Sequence, residues 1–349
     1  MNANSEFIEG DFVEDVNNII FDVKGLEHPP TRVIAFPRYI PDEKGDRIRK
    51  VDNRKYAKIY DLNLRYTYMK RFLRKYLVYD EVFDMKLCEI PKTDIIRHYK
   101  PANKLKELIS NIEFLDETQQ SALKLALILS YKSNVPLKNL GISGSIMVDL
   151  HKDNSDIDIV VYGTKESFKV IEALREFFNE GILRKYSMDE YERLYVFRKA
   201  YEVLDLKAFI KHEKRKLFQG MFKGREFFIR FIENLSEKKP YGYYRYKDLG
   251  KITVKARVID DTRSIFTPVR YVIDNVKIIE AETKHSIKPE NITEIVSFRG
   301  RFCQQVFKGE NIIAKGKIEA VLENNYLTHY RIIVGGSPKD YLVNEEFVK

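Results

Sequence analysis

A chain of 349 residues is longer than one hydrophobic core usually supports, so two or three domains are expected. Its composition, 44% hydrophobic and 32% charged with 16 glycines and 11 prolines, excludes low-complexity, disordered and collagen-like proteins. The balance of 61 basic against 52 acidic residues gives a net charge of +9, which favours polyanionic partners such as RNA, DNA or nucleotides.

Membrane and secreted classes are disfavoured as well. No apolar run reaches the roughly 20 residues needed to span a bilayer, and the N-terminus lacks a signal-peptide pattern, so a cytoplasmic protein is expected. Cys88 and Cys303 are the only cysteines, which excludes a disulfide framework and a thiolate zinc site. The abundance of charged residues and the lack of tryptophan also fit a thermophilic source.

Residues 1–112 are predicted to form an N-terminal α+β domain. The segments 19–23 and 32–36 are typical of strands, and the loop between them contains glycine and proline. Apolar residues then recur at helical spacing from Leu62 to Tyr76. The basic residues on the rest of that helix form either a solvated face or a surface for nucleic acid or another acidic partner.

Residues 113–237 are predicted to form the core of the protein. Asp116 is a good N-cap with Gln119 three residues later, which indicates the start of a buried helix. The elements expected after it are a short strand at 140–143, a helix starting within 146–150, a polar loop at 151–155, a strand at 156–162, a helix from 164, a helical stretch around 191–197 and a strand at 203–210.

Residues 238–349 change in character. Alternating apolar and polar residues, separated at regular intervals by turn residues, predict an all-β domain that is either a small barrel or a sandwich. Its strands are expected at 251–259, 269–273, 291–298, 312–322 and 326–334. The whole chain is therefore expected to be an α+β protein in which the core is flanked by an α+β domain and a β-rich domain.

Two carboxylates, Asp156 and Asp158, lie one residue apart on a predicted strand. Residues i and i+2 of a strand point to the same face, so the two groups repel each other unless a cation lies between them. Mg²⁺ prefers hard oxygen ligands and also holds substrate phosphates. The pair therefore predicts a metal–nucleotide site, and an exposed pair of surface carboxylates is the alternative.

Other residues extend this candidate site. Gly144 allows the backbone to come close to a phosphate, and a helix N-terminus with the Ser145 hydroxyl offers donors. Asp205 lies between leucines on the predicted strand at 203–210, where a carboxylate needs either a metal or a buried salt bridge. Lys207 is expected on the same face as Asp205 and could contact a phosphate.

The pattern of Gly144-Ser145, then Ser155-Asp156-Ile157-Asp158, then an apolar–Asp205–apolar strand resembles the DNA polymerase beta superfamily of nucleotidyltransferases. The resemblance covers roughly residues 135–212 and is closest in kind to an archaeal-type stand-alone member. It implies a core of mixed sheet and helices. It also implies a reaction in which a nucleoside monophosphate passes from an NTP to a hydroxyl acceptor and pyrophosphate is released.

The resemblance further implies the role of each residue. Asp156 and Asp158 would bind two Mg²⁺ or Mn²⁺ ions, and Asp205 would complete the catalytic ion's site and help to deprotonate the attacking hydroxyl. Nucleotide-binding residues would be Gly144, Ser145, Ser155 and Lys207. The chain departs from the pattern after Ser145, because residues 146–149 lack the arginine that many small members carry there.

The acceptor is less strongly indicated. RNA is favoured by the basic balance and by the extra β domain, whereas a catalytically inactive binding or assembly module, or transfer to a protein or small molecule, are the alternatives. Three basic segments bear on this choice: 241–247, 211–216 and 297–302. The tyrosines of the first either stack on bases or pack in the protein, and the other two are either phosphate contacts or solvated surface.

Overall fold

The structure is a computed structural model that describes residues 7–237 and 239–348. Within these residues it contains seven α-helices and eighteen strands in three sheets, which confirms the predicted α+β class. Contacts divide the chain into two compact units. The first unit comprises the described residues of Met1–Asp80, Lys86–Arg184 and Phe218–Tyr241; the second comprises those of Glu81–Met85, Lys185–Leu217 and Gly242–Lys349.

The N-terminal part of the chain forms an eight-stranded sheet. Its order is β4-β5-β3-β2-β1-β8, with β7 beside β3 and β6 beside β7. The strands are β1 Phe12–Asp15, β2 Ile20–Val23, β3 Arg32–Pro41, β4 Arg47–Ile48, β5 Lys55–Lys58, β6 Leu77–Asp80, β7 Met85–Pro91 and β8 Ile95–Tyr99. Helix α1, Leu62–Phe72, begins where the Asp61 side chain accepts hydrogen bonds from two backbone amides, and it buries Met69 among residues of this sheet.

A second, four-stranded sheet of the first unit carries the predicted core. Its order is β11-β12-β10-β9, and β10 runs antiparallel to β9 but parallel to β12. The strands are β9 Leu140–Ile142, β10 Ile157–Tyr162, β11 Gln219–Phe222 and β12 Arg225–Ile232. The helices are α2 Pro101–Ser110, α3 Glu117–Ser133, α4 Gly144–Met147 and α5 Thr164–Asn179. Asp116 and Gln119 form the expected capping box at the start of α3.

The second unit is a closed β structure with two helices. Strand β13 pairs with both β14 and β16, so the circuit β13-β14-β15-β17-β16 closes on itself, and β18 adds to β16. This closure makes the C-terminal sheet a barrel. Its elements are α6 Met188–Phe197, α7 Leu206–Glu213, β13 Tyr244–Asp260, β14 Val269–Glu282, β15 Ile292–Ser297, β16 Asn311–Glu323, β17 Tyr326–Ile333 and β18 Tyr341–Asn344.

The predicted strand at 203–210 is wrong, because these residues lead into helix α7. The Asp205 side chain accepts a hydrogen bond of 2.7 Å from the Ala208 amide, which is the geometry of an N-cap. Leucine alternation around Asp205 suggests a strand, but burial of Phe209 and Ile210 follows the helical repeat. A helix start within 146–150 is also wrong, since α4 begins at Gly144 and ends at Met147.

Tyrosines of the aromatic–basic segment at 241–247 are partly used for packing. Tyr246 is buried and stacks on Phe83 with ring centroids 5.4 Å apart, and the Arg331 guanidinium lies 3.5 Å from its ring centroid. Tyr243 and Tyr244 remain half-buried. In the part of the chain that the structure describes, no helix combines the length and apolar character needed to cross a membrane.

Candidate nucleotide and metal site

The turn that follows β9 comes into direct contact with a carboxylate of β10. The Ser143 amide donates a hydrogen bond of 2.9 Å to the backbone carbonyl of Asp158. Gly144 adopts φ +64°, and a Cβ atom there would lie only 1.9 Å from Oδ2 of Asp158. Glycine is therefore needed at this position for both conformation and space. The structure thus brings together the turn and the carboxylate strand, as the sequence predicts.

Asp156 and Asp158 lie next to each other at the start of β10. Ile157 and Ile159 are buried on the opposite face of the strand, and both aspartates are half-buried. Among the described residues, neither carboxylate has a hydrogen-bond or ion-pair partner. Burial raises the pKa of Asp158, and the neighbouring charge of Asp156 raises it further. This pair of carboxylates therefore lacks the close compensation that crowded anions require.

Positive charge reaches this site from the N-terminal sheet. Arg38 is the extra residue of a bulge, since Ile20 pairs with Tyr39 whereas Phe21 pairs with Pro37. The Arg38 guanidinium lies 4.4 Å from the ring centroid of Tyr60, and Lys58 Nζ lies 4.2 Å from the same centroid. Both cations are close enough to the aspartates for their charges to interact.

Burial disfavours the charged form of both side chains. Burial lowers the pKa of Lys58, whereas the charges of Asp156 and Asp158 oppose this shift. For Arg38 the charges of Asp22 and Asp158 help to keep the guanidinium ionised. Arg38 and Lys58 thus bring two basic groups near the aspartates.

Strand β12 contributes a third cation. Arg230 lies opposite Val160 in the parallel register and forms an ion pair with Glu9. Burial raises the pKa of Asp158, and this is the larger effect. The charge of Arg230 lowers the same pKa. We call Arg38, Lys58 and Arg230 the basic cluster. The charges of all three act on Asp158.

Asp205 and Lys207 do not have the placement that the sequence suggests. The strands beside β10 are β9 and β12, and Asp205 is an exposed helix N-cap in the second unit. Lys207 is exposed in the first turn of α7, so it does not share a strand face with Asp205. The structural reason for choosing Asp205 as the third acid is therefore removed.

Strand β12 carries one acid near the level of the first residues of β10, Glu226. Ile157 pairs with Phe227, and Asp156 and the exposed Glu226 are the residues that precede this pair on each chain segment. The strand alternation that places Asp158 opposite Phe228 also puts Glu226 on the face of the two aspartates. Glu226 stands between an arginine and a phenylalanine, a pattern with no distinctive spacing. Its position was recognisable only after the partner of β10 was known.

The two serines near the aspartates have different surroundings. Ser155 Oγ accepts a hydrogen bond of 2.8 Å from the Lys152 amide and so closes the turn that leads to Asp156. Ser145 is buried, and its Oγ has no hydrogen-bond partner within the described structure. A buried hydroxyl without a partner is rare in proteins and marks a place where a ligand can bind.

These residues fit a divalent cation with a phosphate ligand. Within residues 7–237 and 239–348, no group of three or more His, Cys, Asp or Glu side chains is arranged around a common metal position. The carboxylates of Asp156 and Asp158 and the hydroxyl of Ser145 are nevertheless hard oxygen ligands without protein partners. Glu226, on the neighbouring strand β12, is exposed.

Comparison with known proteins identifies one relative over almost the full length. The chain is 33% identical over 348 residues to "Uncharacterized protein MJ1086" of Methanocaldococcus jannaschii, covering 97% of each chain. No family model matches the chain, and no solved structure matches it. Sequence identity of 33% over nearly all of both chains indicates common ancestry. The chain therefore belongs to the same family as MJ1086.

Proposed function

We propose that this protein is a metal-dependent nucleotidyltransferase that moves a nucleoside monophosphate from an NTP to a hydroxyl acceptor and releases pyrophosphate. The observation that carries the proposal is the contact between Gly144 and the Asp158 carboxylate. That contact joins a turn suited to phosphate with two carboxylates that have no partner in the described structure.

Three groups of the chain would hold the substrate triphosphate. The Ser145 hydroxyl is buried without a partner and would donate to a phosphate oxygen. Arg38 and Lys58 lie on the side of the aspartates that faces the N-terminal sheet and would neutralise phosphate charge. Gly144 keeps this approach open because it has no side chain.

Asp156 and Asp158 would hold the Mg²⁺ or Mn²⁺ ions, with Glu226 as the third acid in place of Asp205. When bound there, the ions would neutralise the triphosphate and activate the attacking hydroxyl. The carboxylates themselves orient the acceptor oxygen, and Asp158 is held in place by the backbone bond from Ser143. Asp156 is held by the turn that Ser155 closes.

We place RNA first among acceptors, since the chain carries a net charge of +9 and a β-barrel in addition to the candidate catalytic core. A cytoplasmic location belongs to the same proposal. Both cysteines are free and buried, as is common in a reducing compartment where NTPs are abundant.

The experiment is an incorporation assay with α-labelled NTPs, Mg²⁺ or Mn²⁺ and small RNAs. Asp158→Asn and Glu226→Gln should each lower incorporation on the order of 100-fold or more, because charge that stabilises the transition state is lost. Asp153→Asn is the matched control, since Asp153 is an exposed acid of the preceding loop. Asp205→Asn should also remain active.

Equal incorporation by wild type and Asp158→Asn would overturn the transferase proposal. Loss of activity in Asp205→Asn with full activity in Glu226→Gln would reassign the third acid. If wild type incorporates nothing, a thermal shift that requires both NTP and Mg²⁺ separates an enzyme with the wrong acceptor from an inactive module.

A further inference from the structure

The second unit contains a cleft that the transferase proposal does not use. It has a volume of about 50 Å³ and is lined by residues within 198–204, by Phe209 and Glu213 of α7, and by residues within 301–305 and 338–343. A cavity of this size exceeds the roughly 10–15 Å³ that one water needs. It is large enough for a small tetrahedral ion. We call it the arginine cleft, after Arg198, Arg299 and Arg301.

Positive charge is concentrated around this cleft. Arg198 and Arg301 line it, and Arg299 and buried Lys216 lie next to them. Two carboxylates oppose these four cations, Glu213 and Asp340. The local balance is therefore positive even though every group is at least half-buried.

The two carboxylates are already engaged. Glu213 forms ion pairs of 2.8 Å with Arg198 and 2.6 Å with Lys216. Asp340 accepts a hydrogen bond of 2.9 Å from the Ser337 amide and stabilises the loop around it. In the described structure, neither Arg299 nor Arg301 has a carboxylate within 4.0 Å. The two half-buried guanidinium groups thus have no close carboxylate, and Arg301 Nη1 donates a hydrogen bond of 3.3 Å to the Arg198 carbonyl.

Like charges lie close together in this cluster. Burial and the charges of Arg299 and Arg198 lower the pKa of Arg301 to about 9. Burial and the charge of Arg198 likewise lower the pKa of Arg299. Crowded like charges of this kind destabilise a fold unless an anion offsets them.

The backbone around the cleft is built for close packing. Gly335 has φ +91°, and a Cβ there would lie 2.8 Å from the Phe302 ring and 3.0 Å from Cδ of Arg299. Lys216 Nζ donates a hydrogen bond of 2.6 Å to the Arg301 carbonyl, which fixes the short helical turn that carries both arginines. These contacts therefore fix the backbone that carries Arg299 and Arg301.

We propose that the arginine cleft binds a phosphate dianion, either as the free ion or as the terminal phosphate of a small ligand. Guanidinium groups present paired donors that match phosphate oxygens. Lining residues Phe209, Phe302 and Leu342 exclude water from one side, which strengthens charge–charge attraction. The site would thus combine charge, donors and size suited to one phosphoryl group.

The test is isothermal titration and thermal unfolding of the full chain with inorganic phosphate, at constant ionic strength set with NaCl. Wild type should bind phosphate saturably and unfold at a higher temperature in its presence. Arg299→Gln and Arg301→Gln should each raise the Kd at least tenfold. The control Arg257→Gln, an exposed arginine of β13, should bind like wild type.

Two further arms make the outcome unambiguous. Without phosphate, Arg301→Gln should be at least as stable as wild type, because the repulsion is relieved; this separates lost binding from lost folding. Competition by AMP but not by adenosine identifies a terminal phosphate as the ligand, and phosphate binding without AMP competition identifies the free ion. Asp158→Asn should leave phosphate binding unchanged.

The proposal is overturned if chloride at equal ionic strength stabilises wild type as much as phosphate does. It is also overturned if Arg299→Gln and Arg301→Gln both bind phosphate like Arg257→Gln.

Discussion

Gly144 carries the closest packing of the candidate site. It combines a left-handed backbone, φ +64°, with a position 1.9 Å from Asp158 Oδ2 for any added Cβ. Gly224 has a similar φ of +79° but no atom within 4 Å of an added Cβ, and it lies in the same unit. Comparison of the two glycines therefore distinguishes the free-energy cost of the left-handed backbone, which both positions share, from the cost of steric overlap, which only Gly144 has.

We expect Gly144→Ala to lower the free energy of unfolding by more than Gly224→Ala does. The left-handed backbone destabilises both variants by about 1–2 kcal/mol. In Gly144→Ala the added Cβ must also displace the Asp158 carboxylate. Urea denaturation of both variants measures the difference. Gly144→Ala should also abolish the Mg²⁺-dependent response to NTP. Equal losses of stability in the two variants would contradict the close contact.

Other residue-scale features depend on burial without pairing. Ser145 Oγ and the carboxylates of Asp156 and Asp158 have no partners in the described structure, which is unusual for buried or crowded polar groups. Such groups lower the free energy of unfolding of the protein when no ligand is bound. Their retention side by side is the physical argument for a ligand.

Helix α7 shows how one element is tied to the barrel of its unit. His212 Nδ1 lies 2.8 Å from the Ala208 carbonyl, and Nε2 accepts a hydrogen bond of 2.9 Å from the Asn344 amide at the end of β18. One nitrogen must donate and the other must accept, so the imidazole is neutral in the folded protein. Burial lowers the pKa of His212 to about 4.

This arrangement predicts a pH-dependent stability. The unfolded state protonates His212 near pH 6.5 and the folded state resists protonation down to about pH 4. Stability from this group is therefore present above about pH 6.5 and is lost as the pH falls through that window, by up to about 3 kcal/mol. Unfolding of wild type at pH 7 and pH 4.5 measures the loss.

His212→Gln is the informative variant, because glutamine can still accept the Asn344 hydrogen bond but does not titrate. The difference in unfolding free energy between pH 7 and pH 4.5 should be smaller in this variant than in wild type. His285→Gln, at an exposed position of the same unit, serves as control and should behave like wild type. An unchanged pH dependence in His212→Gln would contradict a buried neutral imidazole.

At the scale of the whole molecule, the chain passes between its two units several times. Residues 185–217 belong to the second unit, although they precede the last segment of the first. Within the second unit they rely on the C-terminal region: the Leu217 amide donates to Gln304, and Lys216 donates to the Arg301 carbonyl. Cutting the chain at one point cannot separate the units.

We therefore expect a fragment ending at Tyr241 to lose structure selectively. Its residues 206–217 should lose hydrogen-exchange protection, because the buried partners of His212, Lys216 and Leu217 are missing. Helix α5, whose contacts lie in the first unit, should stay protected and acts as the internal control. Exchange mass spectrometry of the fragment and the full chain measures this. Unchanged protection over 206–217 would contradict the division.

Local patterns were sufficient to predict the elements whose signals are contained in a few residues. The cap at Asp116 and Gln119, the turn at Gly144 and the alternation of β10 depend on neighbours along the chain, so the α+β class and the grouping of Gly144 with Asp158 were accessible. Around Asp205 the local signals conflict. The alternating leucines predict a strand over residues 203–210, whereas the buried positions follow a helical repeat. The N-cap at Asp205 favours the helix.

The surroundings of the aspartates needed the tertiary structure, because they are assembled from distant parts of the chain. Arg38 and Lys58 lie about a hundred residues before Asp158, and Glu226 and Arg230 lie about seventy after it. No spacing in the sequence shows that such residues are neighbours. A bulge in β3 and the parallel register of β10 with β12 bring them together. The local sequence thus determined that Asp156 and Asp158 lie together, whereas strand pairing decided which residues of distant segments lie near them.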